Sequence, residues 1–215
     1  MSTSSKVATE GVTELLSSHA MRNAGMPLNL DHINNARVNL SAVERRAATL
    51  TTRRSVKKEW QAAWLIKALT CIDLTTLSGD DTPDRVARLC AKARMPLRAD
   101  LVEALGLEAM PKVGAVCVYP TMVGSAVKAL QGSGIPVASV ATGFPTGLMP
   151  LKLRLAEIRY AVEEGAKEID IVISRATVFG GDWQALYDEI SAMREACGEA
   201  HLKAILATEI GRAHV

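Results

Sequence analysis

Glu168-Ile-Asp-Ile-Val-Ile-Ser174, then Asp182-Trp-Gln-Ala-Leu-Tyr-Asp-Glu-Ile-Ser-Ala-Met-Arg-Glu-Ala-Cys-Gly198, then Leu202-Lys-Ala-Ile-Leu-Ala207 is the stretch that decides the fold. The first segment is rich in β-branched residues and too short for a helix, so it reads as a strand. In the second, Trp183, Leu186, Ile190, Met193 and Cys197 recur at spacings of three and four, which is one face of a helix. Asp182 precedes that face as a cap and Gly198 follows it as a stop. The third segment is again a short apolar strand. A strand, a covering helix and a second strand make a right-handed crossover unit, whose two strands lie parallel.

The same alternation runs back towards the start. Pro136-Val-Ala-Ser-Val-Ala-Thr-Gly-Phe144 is a strand, followed by a helix carrying Leu151, Leu155, Ile158 and Val162 and ended by Gly165. Val113-Gly-Ala-Val-Cys-Val-Tyr-Pro120 is another, with a helix through Val123, Val127 and Leu130 that stops at Gly132 and Gly134. Cys71-Ile-Asp-Leu-Thr-Thr-Leu77 is the first strand, and after it Thr82 caps a helix that Pro83 starts. From Ser41 to Leu69 the pattern is helical, with Trp60, Trp64 and Ala68 on one face. Residues 1 to about 40 read as a poorly ordered leader with a short helix near Val12–Leu16.

Strands apolar on both faces, alternating with helices, require a parallel sheet covered by helices. A doubly wound open sheet and a closed eight-stranded (β/α)8 TIM barrel both satisfy this. No Gly-x-Gly-x-x-Gly follows the first strand, which counts against a dinucleotide fold. Polar residues in mid-strand suit a barrel, where they point inward near the upper mouth. The expected fold class is therefore α/β, a TIM barrel of which five strands are present. A complete barrel takes about 250 residues.

With 215 residues, 48% hydrophobic and 22% charged, the chain has the composition of a soluble globular protein. A formal net charge of +2 argues against a dedicated nucleic-acid binder. No apolar run reaches the ~20 residues that span a bilayer, and the start has no signal-peptide pattern. Cys71, Cys90, Cys117 and Cys197 are far apart and share no ligand spacing with the four histidines, so no metal site is expected and a reducing cytoplasmic setting follows.

Side chains alternate across a strand. Asp170 therefore faces away from Ile169 and Ile171, and a charge within an apolar strand is costly unless paired or used. Lys203 on the next strand is placed to reach it. Asp73 and Thr75 on the first strand and Cys117 on the second point inward by the same rule. Each has a plainer reading. Asp170 and Asp73 are equally suited to anchoring loops, Lys203 to a structural ion pair, Cys117 to a small core position, and Lys67 to solvent.

Several segments together resemble the deoxyribose-phosphate aldolase family in its animal-type form. They are Lys58-Glu-Trp-Gln-Ala-Ala-Trp64, Ile72-Asp-Leu-Thr-Thr-Leu-Ser-Gly-Asp-Asp-Thr82, Val116-Cys-Val-Tyr-Pro120, Val137-Ala-Ser-Val-Ala-Thr-Gly-Phe-Pro145 and Gly165-Ala-Lys-Glu-Ile-Asp-Ile-Val-Ile173. Trp183-Gln-Ala-Leu-Tyr-Asp-Glu-Ile190 and Cys197-Gly-Glu-Ala-His-Leu-Lys203 extend the likeness, which runs from about Ser55 to Thr208. The resemblance implies a class I aldolase, a carbon–carbon lyase of deoxyribonucleotide catabolism. Such an enzyme cleaves 2-deoxy-D-ribose 5-phosphate reversibly to D-glyceraldehyde 3-phosphate and acetaldehyde through a lysine Schiff base. It implies no metal or organic cofactor, a small phosphorylated sugar as partner, no nucleic acid and no membrane, and it leaves a homo-oligomer open for the full-length enzyme. By motif, Asp170 is the proton donor and acceptor, Lys203 its supporting lysine, and Asp73, Thr75 and Cys117 pocket-lining residues. Ser174 stands where related proteins often have Asn, which implies a tuned pocket.

The family's imine-forming lysine and its activating partner lie in Phe-Ile-Lys-Thr-Ser-Thr-Gly-Lys and Phe-Lys-Ala-Ala-Gly-Gly motifs, and neither is present in these 215 residues. After Thr208 the family continues Gly-Glu-Leu, whereas this chain reads Glu209-Ile-Gly-Arg-Ala-His-Val215. Those seven residues are what the sequencing adapter GAGATCGGAAGAGCACACGTC spells in frame, so they are expected to be a non-native tail. The expected organisation is an N-terminal extension over 1–54, the first part of an aldolase barrel over 55–208, and the tail over 209–215. On this reading the fragment itself is inactive. A non-catalytic half-barrel interaction module and a different Schiff-base barrel aldolase are the two alternatives.

Overall fold

In a computed structural model of the chain, residues 25–53 and 55–208 are described. Five strands form one parallel sheet: β1 (Asp73–Thr75), β2 (Ala115–Val118), β3 (Val137–Ala141), β4 (Glu168–Val172) and β5 (His201–Ile205). Each strand pairs only with its neighbours in sequence, in the order β1-β2-β3-β4-β5. A doubly wound sheet reverses its strand order at a switch point, and a barrel does not. The order here is that of a barrel.

Curvature confirms it. Lys203 on β5 touches Asp73 on β1. In a flat sheet these strands would lie four spacings apart, about 19 Å at roughly 4.8 Å per spacing. Two side chains cannot bridge that distance, so the sheet curls and brings its first and fifth strands face to face.

Among the described residues nine α-helices and two 3-10 turns precede or connect the strands. Those packing on the outer face of the sheet include α4 (Pro83–Arg94), α6 (Val123–Ala129), α7 (Leu151–Glu163) and α9 (Trp183–Ala196). Their apolar stripes meet the outward side chains of the strands. Val86, Cys90, Ala126, Ile158, Met193 and Cys197 bury against Val116, Val118, Val137, Ile169 and Ile171. A second, smaller cluster (Ala115, Cys117, Ala138 and Val140) lines the inner face, with Leu77, Tyr119 and Phe144 above it. Each strand therefore separates an apolar outer layer from an inner layer that carries the polar groups.

The capping residues expected from sequence are in place. Thr82 accepts from the Arg85 amide at the start of α4, with Pro83 in the first turn, and Asp182 accepts from the Ala185 amide at the start of α9. Replacing Thr82 with Ala is expected to cost about 1 kcal/mol in urea unfolding, and Thr82→Ser much less. Equal losses for the two variants would show that the hydroxyl is not the cap.

Several expectations need correction. All five strands are shorter than their apolar runs, β1 being three residues long. The helical pattern over 41–69 is broken into α2 (Leu40–Ala48), a 3-10 turn (Leu50–Thr52) and α3 (Lys58–Leu69). The Trp60–Trp64 face of α3 is not packed: the two side chains are 67% and 63% exposed. The short helices α1 (Leu30–Asn35), α5 (Ala99–Ala104) and α8 (Arg175–Gly180) were not foreseen. A helix near Val12–Leu16 and the segment Glu209–Val215 lie outside the described residues. No described helix is long and apolar enough to cross a membrane.

Candidate active site

Parallel register sets the site. Asp170 pairs with Lys203 across β4 and β5, and with Val140 across β3 and β4, so all three share a level. One level below, Glu168 pairs with His201 and with Ala138, and Ala138 in turn with Cys117. Because Ala138 and Val140 are the only inner side chains β3 supplies at these levels, Cys117 reaches across to Asp170. The thiol donates to Asp170 Oδ2 over 3.8 Å.

Lys203 is the hub. Its ammonium donates to Asp73, lies 2.9 Å from a Glu168 oxygen and 3.1 Å from Asp170 Oδ1. Three carboxylates from β1 and β4 therefore surround one cation from β5. Burial opposes the charge on Lys203, yet hydrogen bonds to Asp73 and Glu168 and the field of Asp170 hold its pKa well above the ordinary range. A lysine so held stays protonated at neutral pH and is no nucleophile.

Asp170 is shifted the other way for a carboxylate. Burial raises its pKa; Lys203 pulls it back, and the charges of Asp73 and Glu168 push it up again. Its Oδ1 is buried and lies 3.1 Å from Lys203 Nζ. An acid that is buried and raised in pKa is suited to moving protons. Cys117 is pushed up to about 12 by burial and by the Asp170 charge beside it. It stays a thiol and serves as a weak donor. Tyr119 and Phe144 meet edge to face above the inner layer, ring centres 6.2 Å apart.

Of the residues expected from sequence, Asp73, Cys117, Asp170 and Lys203 converge. Thr75 does not join them: its hydroxyl donates to the Asp73 carbonyl at 2.7 Å on its own strand. Ser174 is also displaced from the expected pocket. β4 ends at Val172, and beyond it the Ser174 hydroxyl turns to Arg154 and Glu189 on the helices. Lys67 is exposed on α3, as expected.

Two features escaped the sequence reading. Glu168 stands at the first position of β4, where a charged residue reads as solvated. Arg154 and Glu189 lie 35 positions apart on α7 and α9, and they form a buried pair behind the end of β4. Among the described residues no group of histidine, cysteine and carboxylate side chains is arranged to hold a metal ion. The four cysteines are free, Cys71 exposed and the others buried.

A curled parallel sheet in sequential strand order, with its polar groups on the inner face, is part of a (β/α) barrel. A family model for DeoC/LacD family aldolases matches residues 67–214, and the chain belongs to that family. It is 61% identical over 191 residues to the deoxyribose-phosphate aldolase of Mus musculus, covering 87% of this chain and 60% of that one. Against the deoxyribose-phosphate aldolase of Homo sapiens it is 60% identical over 193 residues, covering 88% and 61%. A crystal structure of a candidate deoxyribose-phosphate aldolase from Coccidioides immitis superposes with a TM-score of 0.52 at 26% identity, over 71% of this chain and 63% of that one. The chain thus spans about three fifths of the length of the curated relatives it matches.

Proposed function

We propose that these residues form the acid–base part of a deoxyribose-phosphate aldolase, and that its imine-forming lysine lies outside residues 1–215. The observation that carries this reading is the inner-face pair of Asp170 and Lys203, in a chain 61% identical to a deoxyribose-phosphate aldolase. In the proposed reaction a neutral lysine amine adds to the substrate aldehyde and loses water to give an iminium. The C2–C3 bond then breaks, its electron pair passing to the iminium as an enamine while the 3-hydroxyl proton leaves to a base. Glyceraldehyde 3-phosphate departs; protonation of the enamine and hydrolysis release acetaldehyde. Asp170, with its raised pKa, is the group proposed to carry protons in imine formation and enamine protonation.

Lys203 is a poor candidate for the nucleophile, since an imine requires a neutral amine and three carboxylates keep this one charged. The remaining lysines are outside the inner-face cluster or outside the described residues. Residues 1–215 are therefore expected to release no acetaldehyde from 2-deoxy-D-ribose 5-phosphate. Borohydride added with that substrate is expected to leave their mass unchanged. The product of the complete coding sequence is expected to turn over and to gain the reduced adduct. An adduct on Lys203 in residues 1–215 would overturn the assignment, as would an inactive full-length product.

A further inference from the structure

Away from the Lys203 cluster, the loop that leaves β3 is held from two sides. Thr142 and Gly143 take φ +65° and +75°, which turns the chain out of the strand ladder. The Gly143 amide then donates to Glu157 Oε2 on α7 at 2.8 Å, and the Gly143 carbonyl accepts from the Gly147 amide at 2.9 Å. At the far end Arg175, the first residue of α8, donates to the Pro145 and Thr146 carbonyls at 3.3 and 2.8 Å. Phe144 stands between these anchors. Its side chain packs on the inner cluster of Ala115, Cys117, Ala138 and Val140 and meets Tyr119 edge to face. Cys117 in turn donates to Asp170.

We propose that Glu157 is a positioning residue for Phe144: by accepting from the Gly143 amide it fixes the turn at the end of β3 and sets the ring over the inner face, where it forms a wall of the substrate pocket. Glu157 is half-buried in the helix layer outside the sheet and acts on the pocket through the loop backbone. Thr142 is fixed to β4, its hydroxyl 3.1 Å from the Val172 carbonyl and 2.6 Å from the Val172 amide. Gly143 is therefore the hinge between a fixed strand end and Phe144, and a glycine has no side chain to limit its rotation. The bond that stops it is charge-assisted, roughly twice as strong as one between neutral groups. Without that acceptor the Thr142–Gly143 peptide turns, and Phe144 swings off Tyr119 with the loop.

The catalytic meaning of this clamp rests on the proposed aldolase reading, but the positioning is tested without it. In residues 1–215, NMR follows the exchange of the Gly143 amide and the ring contact of Phe144 with Tyr119 in the parent chain, Glu157→Gln and Glu157→Met. Glu157→Met keeps the stem and offers no oxygen; it is expected to speed Gly143 exchange about tenfold and to weaken the ring contact. Glu157→Gln keeps an acceptor oxygen and is expected to retain most of both. In the product of the complete coding sequence, Glu157→Met is expected to raise the KM for 2-deoxy-D-ribose 5-phosphate about three- to tenfold and to leave kcat within about twofold, since a pocket wall moves and no proton-carrying group does. A purely structural role would remove folded molecules, lowering kcat and leaving KM as it was. An unchanged KM in an active enzyme overturns the proposal, as do an unmoved Gly143 amide in Glu157→Met and equal effects of Gln and Met. If Glu157→Met fails to fold, Glu157→Ala takes its place. A displaced Phe144 in a protein whose full-length product shows no aldolase activity upholds the positioning role and removes only the reaction assigned to it.

Discussion

Arg154→Ala is expected to lower the stability of the chain by about 3–5 kcal/mol, because it leaves a carboxylate without its cation in a nearly dry layer. Arg154 is 2% exposed and Glu189 13%, and they meet at 3.0 Å. The guanidinium does more than pair. It donates to the Val172 carbonyl and to the Ser174 hydroxyl, while Glu189 accepts from the Ser174 amide at 2.9 Å. Thr142 completes the arrangement: its hydroxyl accepts from the Val172 amide at 2.6 Å. Thr142 has φ +65°, so the β3–β4 ladder stops there, and side chains take over its hydrogen bonds. The buried ion pair is thus the end-cap of β4, the strand that carries Asp170. Urea unfolding of Arg154→Ala against the parent chain measures the loss. Arg154→Met/Glu189→Leu should recover much of it, since an apolar pair of similar volume avoids a stranded charge. A single-variant loss below about 1 kcal/mol would show that water reaches the Glu189 carboxylate and that the pair is not structural.

How much of this was legible in the sequence depended on whether one element or two had to be known. The fold order follows from local pattern: Ile169 and Ile171 alternate with Asp170, the Trp183–Cys197 stripe keeps a helical period, and Thr82 and Asp182 cap helices as their chemistry dictates. Asp170 facing Lys203 was legible too, since adjacent parallel strands fix both faces once the register is near right. The failures share a cause. Arg154 and Glu189 meet only because α7 and α9 pack side by side, which no periodicity reports. Glu168 reads as a solvated strand end until the curl of the sheet brings Asp73 over to share its lysine. The resemblance implied a pocket place for Ser174, but β4 ends two residues earlier and the hydroxyl turns to Arg154 and Glu189 on the helices. On α3 the spacing of Trp60 and Trp64 announces an apolar face without saying what covers it, and no described residue does.

Lys203→Met is expected to leave three neighbouring carboxylates with no cation among them, and so to make stability fall with rising pH. The signs follow from the shifts. In the parent chain Asp170 has a folded pKa raised above its unfolded value, chiefly by burial. Such a group supports folding fully below the ordinary aspartate range, and that support is lost as pH rises through the folded pKa. Lys203 has a raised pKa as well, so its contribution is complete at neutral pH and is lost only in strong alkali. Removing Lys203 deletes the cation that pulls Asp170 back down, and Asp73 and Glu168 lose their counter-ion in the same step. The cluster is about a third exposed at Lys203 and less so at Asp170, so solvent discounts the effect below that of a fully buried pair. The expected loss is about 1–3 kcal/mol near pH 8 and smaller near pH 4, where Asp170, its pKa raised chiefly by burial, takes up a proton. Thermal unfolding of the parent and the variant across that range gives the difference directly. Lys203→Arg keeps the charge and should restore the parent's pH dependence. A Lys203→Met loss that is the same at both ends of the range would mean that the lysine's stem, through packing, matters more than its charge.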